Sequence, residues 1–229
     1  MSIVIETQNL CRTFGEGDTL VHALQDANLT IKKGEFTAII GPSGSGKSTL
    51  LQLMGGLDKP TSGNVILDGT NISQMSGTQL SDFRRDHIGF IFQSYNLIPV
   101  LSAKENIEYI MLLQNISSQE RDRRVNEILE EVGLSGLHNR RPAQLSGGQQ
   151  QRVAVARAMV SNPSIILADE PSANLDSKTG AALLSMMKKL NEQENMTFVF
   201  STHDPMIMER ARRIITLVDG RIVDDQKQN

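Results

Sequence analysis

The sequence predicts an α/β fold: a mostly parallel sheet covered on both faces, with an antiparallel β subdomain and an inserted α-helical subdomain. Three observations carry this expectation. Short apolar runs at 36–40, 88–92, 165–168, 197–200 and 214–218 have the length of buried strands. Segments of helical period separate most of them, the pattern of a parallel sheet wound with helices. Two early stretches, 3–12 and 20–31, instead alternate apolar and polar residues, as half-buried strands do.

In chain order, the alternating stretches open the fold and the run 36–40 enters a glycine-rich loop, after which 49–54 continues as a helix. Residues 65–67 form another strand, closed by a turn at Asp68 and Gly69. Residues 88–92 read as a buried strand. From Ala103 to about Gly133 the period turns helical, with Val125, Ile128, Leu129 and Val132 on one face, and Gly133 and Gly136 then punctuate the chain. A further helix carries Val153, Ala154, Ala156, Arg157 and Val160 and stops before Pro163. Helices near 178–192 and 205–210 lie between the last strands. With no repeat or linker visible, 1–229 is expected to be one domain. Its core comprises about 1–94 and 162–229, and its helical subdomain about 95–161.

Composition narrows the function classes. The formal net charge of −3 opposes a nucleic-acid partner, because phosphate backbones reward basic surfaces. The single Cys11 has no intrachain disulfide partner, which points to a reducing compartment and a packed small side chain. No run approaches the roughly 18 apolar residues that span a bilayer, and the N-terminus lacks a signal-peptide pattern. A cytoplasmic location is expected, with any membrane attachment supplied by another protein.

The chemistry is concentrated near a few strand ends and helix starts. Gly41, Pro42, Ser43, Gly44, Ser45, Gly46, Lys47, Ser48 and Thr49 follow a buried strand and open a helix. Such glycines let backbone N–H groups approach phosphate oxygens, while Lys47 offers a charge to the β- and γ-phosphates and Ser48 a hydroxyl to Mg²⁺. The run 165–168 then delivers Asp169 and Glu170 at a strand's carboxyl end, where ligands sit in open α/β sheets. Asp169 suits a magnesium ion, and Glu170 suits the deprotonation of an attacking water. Gln93 ends the strand 88–92 within reach of Mg²⁺ or the water, and His203 follows the strand 197–200 toward the γ-phosphate. Taken alone, a histidine at a strand end is more often structural. Finally, Leu145, Ser146, Gly147, Gly148, Gln149 and Gln150 open a helix with a serine and two glycines. This looks like a second anion site, more than one nucleotide needs, and a partner molecule is its natural user.

In this order, these elements resemble the nucleotide-binding subunits of ABC transporters, within the P-loop NTPases. The loop GPSGSGKST, Gln93, the signature LSGGQQ, ILADE followed by Asn174, Leu175 and Asp176, and His203 all match, over essentially the whole chain. The signature is specific to that family, whereas the phosphate loop alone is not. The resemblance implies a head-to-tail homodimer with two ATP molecules at its interface. Ser146, Gly147, Gly148 and Gln149 of one subunit would close on the ATP held by the loop of the other. It also places Phe14 as the ring that stacks on adenine, where the family usually has tyrosine. It further implies a separate integral membrane permease, holding the chain on the cytoplasmic face of the plasma membrane.

A narrower resemblance is to the ATPases of lipoprotein release, macrolide and peptide export and the bacterial cell-division complex. It rests on Gly55, Gly56, Leu57 and Asp58, on Tyr95 to Pro99, and on Glu105, Asn106 and Ile107. Ser172 and Ala173 depart from the Thr, Gly usual in that subgroup, which puts communication across the dimer in question more than hydrolysis. The apolar run 94–101 is the expected permease contact. The competing reading is a soluble ATPase of the same superfamily acting on DNA or ribosomes. Those proteins typically carry coiled-coil inserts, zinc elements or a fused second ATPase domain, and none is visible here. An importer ATPase with a regulatory C-terminal domain fits poorly, since only the polar tail 224–229 follows the last expected strand.

Overall fold

The computed structural model describes residues 2–228. Strands β1 (Ile3–Phe14), β2 (Val21–Lys32), β4 (Ser62–Leu67) and β5 (Thr70–Asn71) form an antiparallel sheet in the order β2-β1-β4-β5. The other strands are β3 (Phe36–Ile40), β6 (Ile88–Ile91), β7 (Ile165–Asp169), β8 (Phe198–Ser201), β9 (Arg213–Val218) and β10 (Arg221–Lys227). They form a second sheet in the order β10-β9-β3-β8-β7-β6, parallel except for β10. The helices are α1 (Lys47–Met54), α2 (Gly77–His87), α3 (Ala103–Leu113), α4 (Ser118–Glu131), α5 (Gly147–Met159), α6 (Ser177–Glu194) and α7 (Pro205–Arg210). Both sheets are in the expected places.

Alternate residues of the central strands enter two different cores, as a pleated strand buried on both faces requires. Phe36, Ala38, Ile166, Ala168, Phe198 and Phe200 join the side chains of α3 to α7 on one face. Ile39, Ile165, Leu167 and Val199 join α1, α2 and the antiparallel sheet on the other. Phe36 anchors the first core, its ring centroid 4.7 Å from that of Phe200 and 5.6 Å from that of Phe198.

Most helices start on a sequence signal. Ser76, Ser102, Ser117 and Ser146 each accept a backbone N–H two or three residues into their helix, and Asp176 accepts from both Lys178 and Thr179. These caps also divide what periodicity alone leaves continuous. The helical stretch 103–133 is two helices, because Asn115 takes a left-handed φ of 57° and Ser117 restarts the chain. Periodicity misses α2 because only Leu80 of that helix is fully buried, leaving almost no apolar stripe to read.

The tail 224–229 needs correction. Its described part does not trail from the fold: Arg221–Lys227 is β10, paired with β9. Arg213 explains how so polar a segment is held. Its guanidinium donates to both oxygens of Asp225 at 2.7 Å, to Glu35 at 2.8 Å and to the Thr30 carbonyl at 2.7 Å. These bonds, Asp225 foremost, raise the Arg213 pKa, and Arg213 in turn holds the Asp225 carboxyl below its usual range.

Candidate functional site: a phosphate cleft and a detached signature

The parallel strands end nearly level. Ser201 of β8 is in register with Ile39 of β3 on one side and with Asp169 of β7 on the other. The segments beyond these ends therefore emerge together around an open cleft of about 820 Å³. Gly41, Pro42, Ser43, Gly44, Ser45, Gly46, Lys47, Ser48 and Thr49 all line it, with Gln93, Glu170 and His203. Residues separated widely in sequence are thus brought to one cavity, as expected from their strand-end positions.

Local geometry explains the loop's glycines. Gly41 (φ 152°) passes so close to β9 that a Cβ would lie 2.0 Å from the Leu217 carbonyl oxygen. Gly46 (φ 101°) caps α1, and a Cβ there would lie 2.3 Å from the Ala23 carbonyl oxygen. The lysine is folded into the loop, its Nζ donating to the carbonyls of Gly41 and Pro42 at 2.9 Å each. An ammonium has three donors, so one remains for an anion. Ser45 Oγ is buried and has no hydrogen-bond partner. Ser48 Oγ donates to Asp169 Oδ1 at 3.1 Å, which brings the two expected Mg²⁺ oxygens together.

Glu170 and His203, read separately in the sequence, form a pair. His203 Nδ1 lies 2.6 Å from Glu170 Oε1. Thr202 donates to the other oxygen, Oε2, at 3.2 Å, and no sequence motif had singled it out. Asn174, after the acidic pair, donates to the Gln93 carbonyl at 2.9 Å. Next to Gln93, Tyr95 (φ 59°) and Asn96 (φ 48°) form a strained left-handed pair. Arg157 of α5 holds both, donating to the Tyr95 carbonyl at 2.9 Å and to that of Asn96 at 2.6 Å. Burial lowers the Arg157 pKa.

Two groups of expected nucleotide contacts lie outside the cleft. Phe14 pairs with Val21 across the hairpin, and Val21 lines the cavity while Phe14 does not. Phe14 is half-exposed, with the Arg12 guanidinium 4.4 Å from its ring centroid. Ser146, Gly147, Gly148 and Gln149 are likewise absent from the lining. They are packed within their own chain: a Cβ on Gly147 would be 3.0 Å from the Tyr95 hydroxyl, and one on Gly148 would be 2.3 Å from Thr179 Cγ2. Ser146 and Gln149 cap each other, each side chain accepting the other's backbone N–H.

The run 94–101, the expected permease contact, is part core and part surface. Tyr95 is pinned as described and Leu97 packs on the core, so Ile98, Pro99 and Val100 are the exposed apolar side chains of that run. A groove of about 260 Å³ lies beside it, lined by Phe90, Phe92, Tyr109, Ile110 and Arg157. No helix among the described residues is long and apolar enough to cross a membrane.

A family model described as ABC transporter matches residues 24–173, a span that contains the loop, the signature and the acidic pair. The chain belongs to the ABC transporter ATP-binding family. The ABC ATPase cassette is 46% identical to the ABC transporter ATP-binding protein MJ0796 of Methanocaldococcus jannaschii, over 98% of this chain and 97% of that one. It is also 46% identical to the macrolide export ATP-binding/permease protein MacB of Escherichia coli, over 98% of this chain but only 35% of MacB. The cassette thus spans about a third of the length of its MacB relatives. Among solved structures, a dimeric form of MJ0796 superposes with a TM-score of 0.91 at 46% identity, covering 98% of this chain and 99% of that one. A second dimeric MJ0796 structure, in a post-hydrolysis state bound to ADP and Pi, gives 0.90 at 45% identity, with the same coverage.

Because Gly46 combines a left-handed φ with a close backbone approach, Gly46→Ala in the cassette stores roughly 1–3 kcal/mol of strain in the loop. ATP affinity, measured by fluorescence titration, is expected to fall by about tenfold or more. Unchanged affinity would show that the loop can relax around a Cβ.

Proposed function

We propose that the cassette binds ATP with Mg²⁺ in this cleft, closes on a second copy of itself, and drives a separate membrane permease by hydrolysing that ATP. The observation that carries the proposal is the division of the site. The loop, Glu170, His203 and Gln93 share one cleft, while the signature serine and glycines lie outside it. A two-fold dimer would bring each signature to the other chain's cleft and complete two equivalent sites. MJ0796, its relative, forms a dimer.

Within that frame each residue has a physical task. The backbone N–H groups of Gly44 and Gly46 and the Lys47 ammonium hold the β- and γ-phosphates, with Ser43, Ser45 and Thr49 beside them. Ser48 and Asp169 would suit Mg²⁺ as hard oxygen ligands in contact with each other, and Gln93, which lines the cleft, would add a third. Among the described residues no group of three His, Cys, Asp or Glu side chains is arranged to hold a metal ion, so the ion would take its remaining ligands from phosphate and water. Bound there, it neutralises charge on the phosphates. Glu170 accepts a proton from the attacking water as the water oxygen bonds to the γ-phosphorus. The bond from that phosphorus to the β–γ bridging oxygen breaks, leaving ADP and phosphate. His203 lies at the Glu170 carboxylate and faces the cleft, where it contacts the γ-phosphoryl oxygens. Phe14, at the mouth of the hairpin, stacks on adenine.

The helical segment about 95–161 is the lobe that carries the signature, and the remainder, about 1–94 and 162–229, is the nucleotide-binding core. Arg157 ties the loop after Gln93 to that lobe and Asn174 ties Gln93 itself to the core, a route from ATP to the permease. The apolar groove lined by Phe90, Phe92 and Tyr109, with Leu112 and Leu113 exposed on α3, is the permease contact. The cassette then sits at the cytoplasmic face of the membrane, in a system of export, lipoprotein release or mechanical signalling. Ser172 donates its hydroxyl to Asp204 Oδ2, a bond open equally to a threonine hydroxyl.

Glu170→Gln is expected to bind ATP normally and to accumulate as a dimer on size-exclusion chromatography with ATP and Mg²⁺. Turnover at the native rate would remove Glu170 from its role. The signature is best tested at Ser146, because a side chain at Gly148 would collide with Thr179 in its own chain. Aspartate caps helices as well as serine, so Ser146→Asp keeps α5 intact while adding a negative charge to the face offered to the partner. ATP binding should persist while ATP-driven dimerisation and hydrolysis are lost. Full activity would contradict the shared site.

A further inference from the structure

Glu170 is held in an unusual way for a side chain with a free terminal torsion. Its backbone has a left-handed φ of 46°, fixed by its N–H donating to the Ser201 carbonyl at 2.9 Å. The last torsion of a glutamate is broad and intrinsically unselective, so the plane of its carboxylate must be set by partners. Here each oxygen has a different one. Oε1 faces His203, whose side chain is 76% exposed, while Oε2 accepts from Thr202, which is wholly buried.

The Thr202 hydroxyl has no choice of direction. It accepts the Asp204 backbone N–H at 2.9 Å, and its single proton points to Glu170. Its own backbone N–H donates to the Ile39 carbonyl at 3.0 Å, which extends the sheet by one residue and locks Thr202 to β3. The Asp204 carboxylate closes the circuit. It accepts the Met206 N–H at 2.9 Å through Oδ1 and the Ser172 hydroxyl through Oδ2, returning to the chain just past Glu170.

We infer that Thr202 is a positioning residue for hydrolysis: its buried hydroxyl sets the plane of the Glu170 carboxylate, leaving exposed His203 as the partner that can exchange for phosphate. The inference rests on Glu170 acting as the base. It assigns to Thr202 no contact with ATP, so its loss should spare affinity and cost turnover.

Thr202→Val keeps the shape and removes the hydroxyl. Its kcat for ATP should fall roughly 10- to 100-fold, the scale set by misplacing a reacting group by a fraction of an ångström to an ångström, with KM unchanged. With ATP and Mg²⁺ it should accumulate the dimer expected of Glu170→Gln, which a general loss of folding would not produce. Thr202→Ser should restore most of the rate. If the valine variant does not fold, Thr202→Cys keeps the volume, weakens the donor and gives the same comparison. A kcat at the native level, or a loss that Thr202→Ser leaves unrepaired, overturns the inference. Native turnover by Glu170→Gln would instead overturn the assignment of the base on which it stands.

Discussion

The site depends on the parallel register of β7, β8 and β3. Ser201 pairs with Asp169 on one side and with Ile39 on the other, so the three strands stop within one residue of each other. Past those ends the chain makes two more ladder bonds, Glu170 N–H to the Ser201 carbonyl and Thr202 N–H to the Ile39 carbonyl. A slip of one residue would exchange the two faces of every strand. Phe198 and Phe200 would then leave the helical core and Val199 would enter it, an exchange the packing around Phe36 opposes. Apolar packing fixes the register, and the register places the loop, the acidic pair and the histidine segment at one edge.

The signature obeys different physics. Its glycines are small because its own chain presses on it, with Tyr95 over Gly147 and Thr179 over Gly148. Its serine and glutamine satisfy each other's backbone donors, leaving the helix end well formed. Such an end is built before any partner arrives, and preorganisation of this kind reduces the cost of association. Tyr95 and Arg157 join it to the loop after Gln93, so the signature is in mechanical contact with the segment that leaves the cleft of its own chain.

Much of this was legible from sequence because it is encoded locally. The glycine loop, the apolar strand ending in Asp169 and Glu170, and the serine and glycines at 146–148 are all contiguous signals. The antiparallel strands announced themselves by alternation. What was not legible arises from long-range partners. β10 looks like a polar tail until Arg213 supplies the charges that hold Asp225. α2 buries little more than Leu80 and leaves no stripe. Thr202 is an ordinary buried threonine until Glu170 is beside it, and the apolar run after Gln93 is part core and part surface in a proportion no periodicity reports.

The central claim is that one chain contributes two halves of two different sites. Mixing two defective cassettes tests it most directly. Lys47→Ala lacks the ammonium of the loop but keeps its signature, and Ser146→Asp keeps its loop but not its signature. Each alone is expected to be inactive, whereas a mixed dimer would contain one intact loop facing one intact signature. ATP hydrolysis by the mixture, well above the sum of the two separate samples, is the predicted result. A mixture no more active than its components, although mixed dimers form, would contradict the account.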